Sequence, residues 1–141
     1  MRYLAIDLGQ KRTGLAVGDD ETGIASPVGV VEAGGDEQRL TMIRHAIAEH
    51  GPDALVLGLP LNMDDSEGPG VQAARAFARL LETRLGLAVH LFDERLTTAA
   101  ADEQMRGIGL TRKGKKQRRD ALAAAVMLQS FLATKNRKTL L

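Results

Sequence analysis

Residues 3–18 read Tyr3-Leu4-Ala5-Ile6-Asp7-Leu8-Gly9-Gln10-Lys11-Arg12-Thr13-Gly14-Leu15-Ala16-Val17-Gly18. A short apolar run ends in a carboxylate and a glycine, a polar connection follows, and strand character then resumes. Gly9 and Gly14 bracket Gln10-Lys11-Arg12 as a hairpin connection, with Asp7 just beyond the end of the first strand. A third strand is expected through Ala25-Ser26-Pro27-Val28-Gly29-Val30-Val31-Glu32. Its Pro27 suits an edge position or a strand start, because proline cannot donate to the ladder.

Beyond this meander the pattern changes period. From Asp36 a helical stripe of Leu40, Ile43, Ala46 and Ile47 runs to His50-Gly51-Pro52. Ala54-Leu55-Val56-Leu57-Gly58-Leu59-Pro60 is apolar on both faces, as a central strand covered on each side must be. A polar loop through Asn62, Asp64, Asp65, Ser66 and Gly68 leads to a second helix from about Gly70 to Leu85, capped by Gly86. Ala88-Val89-His90-Leu91-Phe92 forms the next strand and delivers Asp93-Glu94-Arg95 to its end. Thr97 or Thr98 then caps a short helix over Ala99–Met105. A basic loop follows, and a last helix runs from Asp120 to about Lys135 with Leu122, Val126, Met127, Leu128, Phe131 and Leu132 as apolar positions. Hairpin strands followed by alternating strands and helices indicate an α/β fold with a mixed sheet. We expect one domain over residues 1–135 and a short, frayed tail over 136–141.

Composition narrows the class of function. The chain has 141 residues, 44% hydrophobic and 26% charged, an ordinary globular balance. It has no Cys, which excludes a disulfide framework, a thiolate nucleophile and thiolate metal sites. With no signal-peptide pattern and no apolar run approaching the ~20 residues of a membrane helix, a cytoplasmic protein without a membrane partner is expected. Aromatic residues are 3% and Trp is absent, so a base-stacking platform is hard to assemble.

The net charge of +1, from 19 Lys plus Arg against 18 Asp plus Glu, conceals an uneven distribution. Six of those positive charges, Arg112, Lys113, Lys115, Lys116, Arg118 and Arg119, lie within eight residues, so the rest of the chain carries −5. A block of like charge is commonly a solvated loop. Beside a carboxylate site it can instead hold nucleic-acid phosphates.

Three carboxylates stand where α/β sheets build their sites. Asp7 follows the first strand, and an Asx-type turn on Gly9 is its alternative role. Asp93 and Glu94 end another strand, and since neighbouring strand residues face opposite ways, only one can face a pocket; the other pairs with Arg95 or caps the next helix. Asp120 opens the last helix, where favourable placement at a helix N-terminus is the alternative reading. Together, Asp7, Glu94 and Asp120 can converge into an all-oxygen site suited to Mg²⁺ or Mn²⁺ and to phosphodiester hydrolysis. His45, His50 and His90 have no ligand-like spacing with acids.

Four motifs in order, Asp7-Leu8-Gly9-Gln10-Lys11-Arg12-Thr13-Gly14, Gly58-Leu59-Pro60-Leu61-Asn62, Asp93-Glu94-Arg95-Leu96-Thr97-Thr98, and Asp120 before an alanine-rich helix, resemble the YqgF/RuvX family over residues 2–132. These are Holliday junction resolvase-like nucleases implicated in maturing the small-subunit ribosomal RNA precursor. The resemblance implies an RNase H-like fold, a mixed five-stranded sheet with helices on both faces. It implies that Asp7, Glu94 and Asp120 are the metal-binding, catalytic acids and that Lys11, Arg12 and Arg95 line the same end of the sheet. The chain departs from the family pattern at Asp65, where Gly is usual, and at Arg119, where an apolar residue is usual.

The resulting expectation is a metal-dependent nuclease acting on structured RNA at the 5′ end of pre-16S ribosomal RNA, as a monomer or weak homodimer. Cleavage of branched DNA and a non-cutting RNA-binding role in ribosome assembly are the alternatives. An ATPase of the actin and sugar-kinase type also uses Asp-x-Gly after a first strand, but it needs two such domains and this chain supplies one.

Overall fold

A computed structural model describes residues 1–9, 11–97 and 115–139, and the side chains of all of these except 115–119 and 136–139. Strands β1 (Arg2–Leu8), β2 (Arg12–Asp19) and β3 (Ile24–Glu32) precede helix α1 (Asp36–His50), strand β4 (Ala54–Leu59), helix α2 (Pro69–Leu85) and strand β5 (Val89–Asp93). A 3₁₀ turn (Glu94–Leu96) and helix α3 (Lys115–Thr139) complete the described chain.

The sheet order is β3-β2-β1-β4-β5. β1, β2 and β3 pair antiparallel, while β4 and β5 join β1 in parallel, giving the mixed sheet expected from the change of period. Pro27 lies on the edge strand, at an irregularity where Leu15 faces Gly29 and Ala16 faces Pro27, so Val28 is the extra residue of a bulge.

Alternation along the strands sends side chains to two different cores. Leu4, Ile6, Leu15, Leu55 and Leu57 pack with Leu40 and Ile43 of α1 and Val71, Phe77 and Leu81 of α2. Tyr3, Ala5, Ala16, Ala54 and Val56 face α3 through Ala124, Ala125, Leu128 and Leu132. The first face is lined by bulky residues and the second mostly by small ones, so α3 lies close against the sheet. α1 and α2 end where the sequence predicts, on Gly51 and Gly86 with φ of 60° and 73°, a left-handed conformation that glycine adopts without a Cβ penalty.

Three boundaries differ from expectation. β1 does not stop at Ile6: its ladder continues through Asp7 opposite Gly14 and Leu8 opposite Thr13. Asp7 is therefore a strand residue and not a turn residue. α3 starts at Lys115, so Lys115–Arg119 are helical and Asp120 lies inside the helix rather than at its start. Lys, Gln and Arg are good helix formers, and a charge run without an apolar stripe hid them from a periodicity reading. For the same reason α3 continues past Lys135 to Thr139. The helix expected over Ala99–Met105 lies outside the described residues. Among the described residues no helix is long and apolar enough to cross a membrane.

Candidate active site

Asp7 belongs to the side of β1 that carries Tyr3 and Ala5, and so faces α3. Its partner on β2 is Gly14. On the other side, Gly58 of β4 lies one residue beyond Leu57, which pairs with Ile6. Neither glycine has room for a side chain. A Cβ on Gly14 would stand 2.0 Å from the Asp120 carbonyl oxygen, and one on Gly58 would meet the Glu94 carboxylate. Two absent side chains thus bring two further acid-bearing segments beside Asp7, one from the exit of β5 and one from α3.

The Asp7 and Glu94 carboxyls hydrogen-bond to each other. Burial raises the pKa of Asp7, the bond from Glu94 opposes that rise, and the Asp120 charge adds to it. Glu94 is pushed up to about 7, first by burial, then by the hydrogen bond to Asp7 and by the charges of Asp7 and Asp93. Two adjoining, half-buried carboxylates cannot both ionise cheaply, so the pair holds a proton or requires a cation. It opens on a pocket of about 370 Å³ whose walls include Thr97, Leu122, Val126 and Met127.

Of the three acids singled out in the sequence, two are therefore in contact, and the third acts on Asp7 through its charge. Among the described residues no group of three His, Asp or Glu side chains is arranged to hold one ion. The donor chemistry still suits a hard divalent cation, since the two carboxylates in contact offer only oxygen.

Asp93 faces away from this pair and takes the structural role open to one of the two neighbours. Its Oδ1 accepts from the Arg95 backbone N–H at 3.0 Å and caps the 3₁₀ turn. The Arg95 guanidinium straddles the same carboxylate, Nε lying 3.0 and 3.1 Å and Nη2 2.8 Å from its oxygens. Nη1 of Arg95 reaches the loop between β4 and α2, donating to the Asn62 carbonyl at 2.9 Å and to Asp65 Oδ1 at 2.8 Å. That loop closes on itself: Asn62 donates to Ser66 Oγ at 2.9 Å, and Ser66 donates through N and Oγ to Asp64 Oδ1.

Asp65, at φ 68°, is the one non-glycine residue with positive φ among the described residues. Such a conformation costs of order 1 kcal/mol. An exposed ion pair stabilises by at most about the same amount, and Asp65 is 84% exposed. The Asp65–Arg95 contact, an exposed ion pair, therefore adds little to stability.

Lys11 and Arg12 border a different recess, with Glu32, Ala33, Gly34 and Gln38, and Arg12 Nε stands 3.9 Å from Glu32. Lys115, Lys116, Arg118 and Arg119 form the start of α3 immediately before Asp120. Arg112 and Lys113 lie outside the described residues. His90 packs edge-on to Tyr3 at 5.9 Å between ring centroids and beside Phe131, in an aromatic cluster away from the acids.

One residue near the site escaped the sequence reading. Arg39 of α1 is only 6% exposed. Its Nε donates to Thr13 Oγ1 at 3.1 Å, its Nη1 to Asp36 at 2.8 Å and its Nη2 to the Gly9 carbonyl at 3.5 Å, and it lies 5.7 Å from the Phe77 ring centre. It ties the turn after β1 to α1. A single arginine beside an apolar stripe carries no signal that would set it apart from a solvated one.

A mixed β3-β2-β1-β4-β5 sheet with one acid on β1 and its partner at the exit of β5 defines an RNase H-like α/β domain built for carboxylate chemistry. Comparison with solved structures gives the same fold: Thermus thermophilus RuvC in complex with a Holliday junction superposes with a TM-score of 0.64 at 18% identity, covering 96% of this chain and 95% of that one. The fowlpox virus Holliday junction resolvase gives 0.57 at 13% identity, covering 95% and 99%. The model of the RuvX family, described as Holliday junction resolvase, matches residues 1–134, and the chain belongs to that family. Proteins named "Putative pre-16S rRNA nuclease" are similar throughout. The one from Anaeromyxobacter sp. (strain Fw109-5) is 46% identical over 132 residues, covering 94% of this chain and 96% of its own. Those of Thiobacillus denitrificans and Geobacillus sp. (strain WCH70) are 44% and 40% identical, covering 91% and 96% of this chain and 88% and 99% of theirs.

Proposed function

We propose that this protein is a metal-dependent nuclease that hydrolyses phosphodiester bonds at the 5′ end of pre-16S ribosomal RNA, in the cytoplasm, as a monomer or weak homodimer. The observation that carries this reading is the Asp7–Glu94 contact, a pair of carboxylates facing a pocket and poised between a proton and a cation. Asp7 and Glu94 would hold Mg²⁺ or Mn²⁺, with Asp120 adding negative charge beside Asp7. A divalent ion there supplies Lewis acidity for a water nucleophile and for the leaving oxygen of the phosphodiester. Without the ion the Glu94 carboxyl is pushed up to about 7, so near neutral pH it would give up its proton as the cation binds. Leu122, Val126 and Met127 wall the pocket with apolar surface. Lys115, Lys116, Arg118 and Arg119, adjoining Asp120 in the chain, together with Arg112 and Lys113, neutralise backbone phosphates and offset their repulsion from the acids. Lys11 and Arg12 at their separate recess, and Arg95 beside the loop between β4 and α2, would offer further contacts to the nucleic-acid backbone.

The relatives' names favour RNA, while the family description favours cleavage of branched DNA as the second reading. Side-by-side digestion of a pre-16S RNA 5′ fragment and a four-way DNA junction, with Mg²⁺ or Mn²⁺, separates the two. Asp7→Asn is expected to abolish cleavage of the preferred substrate. Turnover unchanged in that variant would refute the catalytic role of Asp7, and no turnover of either substrate by the wild-type protein would leave a non-cutting assembly role.

A further inference from the structure

We propose that Asp65 is a displaceable carboxylate that occupies, in the free protein, a phosphate-binding N–H of Arg95. The guanidinium has three partners of unequal kind. Asp93 grips it through both oxygens, with three contacts of 2.8–3.1 Å, and the Asn62 carbonyl holds Nη1 at 2.9 Å. These two fix its position independently of the third. Asp65 is the third, 2.8 Å from Nη1, on an exposed side chain and a left-handed backbone. As an exposed ion pair this contact contributes little to stability, so an incoming anion displaces it at little cost. A phosphodiester oxygen is the anion that fits, because a carboxylate already shows the geometry of an oxygen acceptor at that donor and arginine binds both alike. Arg95 follows Glu94 in the same 3₁₀ turn, and its Nη1 points to the loop between β4 and α2. Asp65 therefore sets how tightly the protein holds a nucleic-acid backbone.

This inference rests on the nucleic-acid reading above, and the experiment separates the two. Binding of a short fluorescent RNA duplex is measured by anisotropy in chelator, over a salt series, for the wild-type protein, Asp65→Asn, Arg95→Gln and the double variant. Asn tolerates the left-handed conformation as Asp does, so the loop is preserved, and thermal melting verifies folding. Asp65→Asn is expected to tighten binding about three- to tenfold and to steepen the salt dependence by roughly one phosphate contact. In the Arg95→Gln background the substitution is expected to change little. Unchanged or weakened binding by Asp65→Asn, while the wild-type protein binds, overturns the inference alone. No binding by any of the four proteins overturns the nucleic-acid reading with it.

Discussion

Gly58 lies directly beneath Glu94: a Cβ at this position would stand 2.5 Å from Glu94 Oε1 and 2.7 Å from the Met127 sulfur. Both neighbours are ends of flexible side chains, so Gly58→Ala can be accommodated, but only by moving Glu94 away from Asp7. We expect cleavage to fall by about a hundredfold, the order of loss for a displacement near 1 Å. Melting should change far less than cleavage, which a thermal scan beside a turnover assay will show.

Gly14→Ala is expected to behave in the opposite way. Its Cβ would collide at 2.0 Å with the backbone oxygen of Asp120, which cannot swing aside. α3 must shift as a body, and overpacking of this kind costs about 1–3 kcal/mol or more. Urea denaturation should report that loss, and activity should fall with it.

Glu94 makes the stability of the metal-free protein depend on pH. Its carboxyl titrates near 4.5 when unfolded and at about 7 when folded, so between these values the native state binds more protons. The stability that Glu94 contributes is therefore fully present below about 4.5 and is lost as pH rises through 7. Melting in chelator from pH 5 to 8 should show that decline, and Glu94→Gln should flatten it. A flat profile in the wild-type protein would contradict the shared-proton description.

Arg39→Met removes the donor to Thr13 Oγ1, a buried hydroxyl, and the link to the Gly9 carbonyl. Leaving a buried polar group without its partner costs about 1–3 kcal/mol. Chemical denaturation should show a loss of that size, accompanied by weaker catalysis because the turn after Asp7 is released.

Replacing Lys115 and Lys116 with Ala should weaken binding to RNA and to DNA alike. The slope of log K against log salt should fall by about two if each neutralises one phosphate. Filter binding at several salt concentrations will measure it.

Much of this arrangement was legible in the residues because it rests on local signals. The central strand, the two glycine-capped helices and the edge proline each follow from period, cap or missing donor. Asp7 and Glu94 stood out as candidates because strand ends are where an α/β sheet places its chemistry, and the fold brings the two together. What was not legible depends on partners distant in the chain. The length of β1 is set by the ladder to β2, which keeps Asp7 in register with Gly14. The start of α3 is hidden in a run of charges that has no apolar face to betray it. Arg39 became visible only when Thr13, Gly9 and Phe77 were seen around it.

The face of the sheet toward α3 has a further consequence. Its spacing is set by alanines and by glycines whose missing atoms leave room for backbone and side chain alike, and neither Gly14 nor Gly58 can gain a side chain without moving an acid-bearing segment. The opposite face, with its leucines and isoleucines against two helices, can exchange volume between neighbours. Tolerance to substitution is therefore divided between the faces, and engineering for thermal resistance belongs on the α1 and α2 side, where repacking leaves the separation of Asp7, Glu94 and Asp120 untouched.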